Sequence, residues 1–175
     1  IAEVFEEWNK GRLNSFLVEI TYKILREKDP ETGDDLIDHI LDEAAQKGTG
    51  MWTAIDGLEM HLPIPTMAEA VFARNLSAIK NQRVEAAKVF SERPESQIEH
   101  KLAFLADLDQ AVYAIKIIAY AQGFQLLSAA SDEHGWDLKR GDIALLWRDG
   151  CIIRAGFLDR IKSAYSEGNK VVNLI

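Results

Sequence analysis

The sequence predicts an all-α fold, a multi-helix domain. Apolar residues recur at three- to five-residue intervals along most of the chain, strand-like alternation is nearly absent, and helix start and stop residues punctuate the apolar runs. With 175 residues, 47% of them hydrophobic and 27% charged, the chain can bury a sizeable core as a single helical domain spanning residues 1–175.

The elements follow in order. Ile1, Val4, Phe5 and Trp8 form an amphipathic opening helix. Phe16, Leu17, Ile20, Ile24 and Leu25 make a second stripe, which Asp29-Pro30-Glu31-Thr32-Gly33 breaks with a turn. Gln46-Lys47-Gly48-Thr49-Gly50-Met51-Trp52-Thr53 sets a cation, glycines and hydroxyls just ahead of an apolar helix. Free amides at a helix start, glycines that admit close approach and a lysine together suit a phosphate. The same letters also read as a lysine closing one helix with Gly48 as its stop.

After Pro63-Ile64-Pro65, Thr66 and Glu69 have capping-box spacing and open a long helix carrying Val71, Phe72, Leu76, Ile79 and Val84. Ser96 and Glu99 repeat that signal, and Ser91-Glu92-Arg93-Pro94-Glu95 is a loop too short to separate domains. Ala111 to Ala130 is apolar nearly all round, which predicts a central helix covered on most sides. Gly141-Asp142 starts a short helix, Asp149-Gly150 interrupts it, and Cys151 to Tyr165 reads as a last helix stopped by Gly168.

Composition excludes several function classes. A net charge of -8 opposes a nucleic-acid or anionic-membrane surface, so an anionic small molecule needs local cations. Lys116, Gln122 and Gln125 argue against a membrane span through the apolar helix, since a central lysine costs about 2.5 to 3.5 kcal/mol on insertion. One cysteine, Cys151, permits no internal disulfide and fits a reducing cytoplasm, with a buried inert thiol as its role. The ends, Ile1 and Leu174-Ile175, are apolar and read as those of a fragment.

Candidate chemistry is sparse. His39, His61, His100 and His134 lack partners at metal-ligand intervals, so no metal site is expected. Asp34, Asp35, Asp38, Asp42 and Glu43 read as a solvated helix face without a general acid or base. Trp52 and Trp147 have the spacing of core residues, with a ligand pocket as the other reading. Arg74 lies away from the Phe72, Leu76 and Ile79 stripe and faces solvent or a ligand. Arg148 and Arg154 are structural or interfacial charges. No glycine-rich strand-to-helix fingerprint is present to seat a dinucleotide.

Four ordered strings carry a resemblance. Gln46-Lys47-Gly48-Thr49-Gly50-x-Trp52-Thr53, Val71-Phe72-Ala73-Arg74, Tyr120-Ala121-Gln122-Gly123-Phe124 and Ile143-Ala144-Leu145-Leu146-Trp147-Arg148-x-Gly150-Cys151-Ile152-Ile153-Arg154 resemble the 6-phosphogluconate dehydrogenase family. The resemblance implies part of a helical C-terminal domain from a cytoplasmic, homodimeric, NADP-dependent enzyme of gluconate utilization and the pentose phosphate pathway. Such an enzyme converts 6-phosphogluconate to ribulose 5-phosphate and carbon dioxide. It implies that Lys47, Thr49 and Arg74 contact the substrate phosphate, and that NADP is held mainly by a Rossmann domain ahead of this segment. The family's catalytic lysine and glutamate would precede Ile1, so no catalytic residue is assigned here. An arginine and a histidine would come from a partner subunit's tail that begins after Ile175. Met51 departs from the pattern, since many members carry lysine there. Two other readings stand beside this one: a dimerisation module that binds no substrate, and a related beta-hydroxyacid dehydrogenase.

Overall fold

The computed structural model describes residues 1–90, 98–166, 171 and 173–175, and among them it contains eight α-helices and one 3-10 helix but no strand. The helices are α1 (Ala2–Asn9), α2 (Phe16–Ile24), α3 (Thr49–Glu59), α4 (Pro65–Ala78), α5 (Lys80–Val89), α6 (Lys101–His134), α7 (Arg140–Leu146) and α8 (Leu158–Ser166), with the 3-10 turn Leu36–His39 between α2 and α3. The all-α expectation therefore holds. Two compact units divide the chain: Ile1–Ile40 with Ala111–Ile175, and Leu41–Gln110.

In the first unit, α1 packs on α2 and α7 on α8. Ser15 caps α2 by accepting the Val18 amide at 3.3 Å, which satisfies one of the amides a helix start leaves free. The turn after α2 closes on Asp29, whose carboxylate accepts the amides of Glu31 and Thr32 at 2.9 and 2.8 Å. Those bonds hold the Asp29 carboxyl below its usual range.

The core of this unit is Phe124 of α6, Ala144 of α7, and Leu158 and Ile161 of α8. Phe124 is 2% exposed, and its ring lies 5.6 Å from that of Trp147 and 5.3 Å from that of Tyr165. Burying one such side chain stabilises the fold by about 1.5 to 3 kcal/mol. Trp147 is thus a core residue, as its spacing suggests.

Three expectations fail in this unit. The segment after Cys151 is not helical until Leu158, because it is held as a loop against the start of α2. There the Phe16 amide donates to the Arg154 carbonyl at 3.0 Å, the Gly156 amide donates to the Asn14 carbonyl at 3.2 Å, and the Arg154 guanidinium stacks 3.6 Å from the Phe16 ring centroid. Arg154 is structural. Cys151 is only half-buried. The apolar α6 is covered only along part of its length: Ala121, Gln122 and Phe124 are buried, whereas Ile115 is 55% exposed. Ser96 and the 91–95 loop, like Gly168, lie outside the described residues. No helix among the described residues is long and apolar enough to cross a membrane.

In the second unit, α3 packs on α4 through glycine. A Cβ on Gly50 would stand 3.2 Å from Val71, and one on Gly57 would stand 2.3 Å from the buried Ile64 side chain. These positions let the helices approach closely. α3 ends on His61 at φ 56, with the Leu62 amide donating to the Gly57 carbonyl at 2.8 Å and the His61 amide to Leu58 at 3.1 Å. This is a helix stop with histidine in the left-handed position usually held by glycine. The expected capping box at Thr66 is displaced: α4 begins at Pro65 with Ile64 as its N-cap, because proline at the first helical position needs no amide partner. The long helix expected through Val84 is two helices, broken at Ile79.

Candidate functional site

The sequence-selected residues Lys47, Thr49 and Arg74 all lie in the second unit. Gly48 is the N-cap of α3 at φ 102, and Thr49 is its first residue. A positive φ suits glycine because it has no Cβ to clash. No side chain caps this helix, so the first-turn amides face outward without intrahelical partners. The reading in which Lys47 closes a helix is overturned: residues 40–47 are irregular, and a helix begins after them.

What precedes Lys47 is a strap laid along α4 and α5. The Arg83 guanidinium donates to the Asp42 carboxylate at 2.9 Å, to the Asp42 carbonyl at 2.6 Å and to the Ser77 carbonyl at 3.2 Å. The Ala44 amide donates to the Ser77 hydroxyl at 2.9 Å, and the Gln46 amide group donates to the Asn75 side-chain oxygen at 2.8 Å. Arg74 donates from its guanidinium to the Ala45 carbonyl.

Arg74 and Lys47 are 27 positions apart in sequence, yet that bond ties Arg74 to a carbonyl two residues before Lys47. Both side chains are exposed, and among the described residues the Lys47 ammonium makes no hydrogen bond or ion pair. Arg74 uses one of its five donors on Ala45, which leaves the rest of its fork for a ligand. Two cations, a hydroxyl and free helix-start amides therefore belong to one local structure, which can hold a tetrahedral dianion by charge-assisted bonds.

Sequence reasoning missed the strap. Asp42 and its acidic neighbours are solvated, as their run suggests, but they lie on a short 3-10 turn and an irregular run instead of a helix face. Hydrogen bonding to Arg83 holds the Asp42 carboxyl below its usual range. The partners stand 41 positions apart, and no local pattern announces such a pair. Trp52 was expected in the core and is instead 59% exposed, its ring lying beside Gly48. Arg148 pairs with Asp159 at 3.1 Å on the surface of the first unit, as a structural charge would. Among the described residues no three histidines, cysteines or carboxylates gather as metal ligands.

Comparison with known proteins identifies the family. The chain is 49% identical to the decarboxylating 6-phosphogluconate dehydrogenase of Candida albicans, covering all of this chain and 34% of that relative. It is likewise 49% identical to the NADP(+)-dependent, decarboxylating 6-phosphogluconate dehydrogenase of Bacillus subtilis (strain 168), covering 38% of its length. Among solved structures, Plasmodium falciparum 6-phosphogluconate dehydrogenase superposes with a TM-score of 0.91 at 46% identity, over 99% of this chain and 38% of that one. That enzyme was solved in its apo form, with its cofactor NADP+ and with its substrate 6-phosphogluconate. The chain thus spans little more than a third of the length of these relatives. A family described as 6-phosphogluconate dehydrogenase, C-terminal domain, matches residues 1–175. With ordered motifs and an all-helical fold in agreement, the chain belongs to the C-terminal domain family of 6-phosphogluconate dehydrogenase.

Proposed function

We propose that this chain is one domain of a cytoplasmic, homodimeric enzyme that carries out NADP-dependent oxidative decarboxylation of 6-phosphogluconate to ribulose 5-phosphate and carbon dioxide. Within it, Lys47, Thr49 and Arg74 bind the substrate phosphate. The observation that supports this reading is the Arg74 bond to Ala45, which ties one of two distant cations to the backbone two residues before the other, just ahead of α3.

In this reaction NADP accepts the hydride that leaves C3. The resulting ketone withdraws electrons from the adjacent carbon, so the carboxylate departs as carbon dioxide and the enediol is then protonated. Among the described residues no strand-to-helix glycine turn could seat the cofactor's pyrophosphate. The family resemblance assigns NADP, the acid and the base to parts of the longer enzyme outside this chain, which covers 34% and 38% of two relatives. The residues here work at the far end of the substrate. Binding energy at the non-reacting phosphate fixes the sugar acid so that C3 is presented to the cofactor in a reactive geometry.

The surface supports an assembly. A compact chain of this length exposes about 8,600 Å², and two separate compact bodies of these unit sizes about 10,300 Å². This chain exposes 12,760 Å², with Phe72 65%, Leu76 58%, Phe90 74% and Leu102 85% exposed. Large apolar side chains exposed to that degree favour coverage by a second copy or by the rest of the enzyme.

Arg74→Ala in the full-length enzyme tests the site. Losing one desolvated charge-assisted contact removes about 2 to 5 kcal/mol of substrate binding, so KM for 6-phosphogluconate rises sharply. An unchanged KM rejects the assignment. The 175-residue chain alone should form no NADPH, yet should gain weak thermal protection from 6-phosphogluconate that Lys47→Ala abolishes.

A further inference from the structure

We infer that Arg83 is a positioning residue for the phosphate site, acting through the 42–47 strap on Lys47 and on the start of α3. The inference rests on the phosphate reading of Lys47. Arg83 touches none of Lys47, Thr49 and Arg74 by any hydrogen bond, so its influence must pass through backbone.

The geometry gives that route. Arg83, near the start of α5, forks across three oxygens: the carboxylate and carbonyl of Asp42 and the carbonyl of Ser77. The Ser77 carbonyl lies in the last turn of α4, where helix carbonyls lack intrahelical donors. One guanidinium therefore closes the end of α4, spans the break at Ile79 and pins the first residue of the strap. Ser77 continues the seam by accepting the Ala44 amide, Arg74 takes the Ala45 carbonyl and Asn75 takes Gln46. Of the five strap positions from Asp42 to Gln46, all but Glu43 are thus held by these residues, and the next residue is Lys47.

Only one member of this seam also belongs to the proposed phosphate trio, namely Arg74. If the strap slides, Arg74 loses its carbonyl and Lys47 moves with the backbone. Loss of Arg83 should therefore disturb both cations at once. The side chain is also partly buried: its Nε is enclosed without a hydrogen-bond partner, as is the Gln46 Oε1, and the Arg83 side chain is 30% exposed against 75% for Asp42. A planar, permanently charged fork makes these three contacts together, whereas a lysine offers a point charge on a flexible stem.

The test uses steady-state kinetics of the full-length dehydrogenase with 6-phosphogluconate and NADP. Arg83→Met should raise KM for 6-phosphogluconate about tenfold, the size of coupling expected within one hydrogen-bonded network, with KM for NADP unchanged. Arg83→Lys should recover part of that loss. Asp42→Asn, at an exposed position where the fold tolerates change, should shift the same constant in the same direction by less. In a Lys47→Ala background, Arg83→Met should add little, because the residue it positions is gone. Wild-type KM in both Arg83→Met and Asp42→Asn overturns the inference, as does a full additional loss on top of Lys47→Ala. If Arg83→Met does not fold by circular dichroism, Asp42→Asn decides alone. The two failures separate: when Lys47→Ala raises KM and the strap variants do not, only this inference falls, and when Lys47→Ala itself leaves KM unchanged, the phosphate reading falls.

Discussion

The two units stabilise themselves by different means. Unit Ile1–Ile40 with Ala111–Ile175 holds the buried cluster Phe124, Ala144, Leu158 and Ile161, and around it Tyr120, Trp147, Phe157 and Tyr165 stack their rings. Unit Leu41–Gln110 buries only Ile64 among its described large apolar side chains, and it relies on a glycine-mediated helix pair and a polar seam. The difference teaches where the chain keeps its stability and where it keeps its chemistry. A close-packed apolar cluster resists local opening. A segment held by exposed polar bonds can adjust to a ligand, and the proposed phosphate residues are found there.

The largest expected effect breaks the first unit. Phe124→Ala empties the centre of the ring cluster and should cost about 3 to 5 kcal/mol by urea unfolding. A loss below about 1 kcal/mol would show that the cluster is not the seat of stability. A smaller effect is expected in the second unit, where Gly57→Ala drives a methyl into Ile64. It should cost about 1 to 3 kcal/mol by overpacking, and an unchanged thermal midpoint would mean that Ile64 relaxes freely. The smallest effect sharpens the contrast by improving the first unit. The Lys116 ammonium is enclosed without a hydrogen-bond partner, and it lies 5.3 Å from the Phe157 ring centroid. Lys116→Met should therefore gain about 1 kcal/mol by removing an unsatisfied group.

That variant also has a pH signature. Burial pushes the Lys116 ammonium below its usual range. The unfolded chain then keeps its proton to higher pH than the folded chain, so this group's contribution to stability rises from the folded pKa up to about 10.4. Lys116→Met should lose that rise, and a gain over wild type that stays constant across this window would argue against the burial. Tyr120 works in the opposite direction. Burial, with the nearby Cys151 adding to it, raises its phenol to about 12. Its stabilising effect is complete below pH about 10 and lost as pH climbs towards 12.

Much of the fold was legible because helix periodicity and turn residues are local. The stripes at Ile1 to Trp8 and at Phe16 to Leu25, the turn at Asp29 and the helix after Gly48 all appear where spacing places them. Cys151 to Tyr165 misled for a physical reason: its apolar residues satisfy a helical pattern, but the loop instead bonds to the start of α2 across the unit. Helical periodicity cannot reveal such a competing long-range contact. Similarly, Phe72 and Leu76 form a real stripe that this chain leaves exposed, because periodicity reports an apolar face and not what covers it.

The site divides in the same way. Lys47, Thr49 and Arg74 could be picked from ordered motifs, whereas Gly48-Thr49-Gly50 alone left a helix start and a helix stop both open, and the structure places a helix start there. The sequence by itself determined the helical class, the family and the residue types able to meet a phosphate, because each is written in spacing or in contiguous strings. Only the tertiary structure decided that the exposed Asp42 is also a tether, that Arg74 reaches the Lys47 segment, and that Arg83 pins the strap. Those facts rest on hydrogen bonds between groups 29 to 41 positions apart, and such bonds exist only once packing has brought α4 and α5 beside the strap.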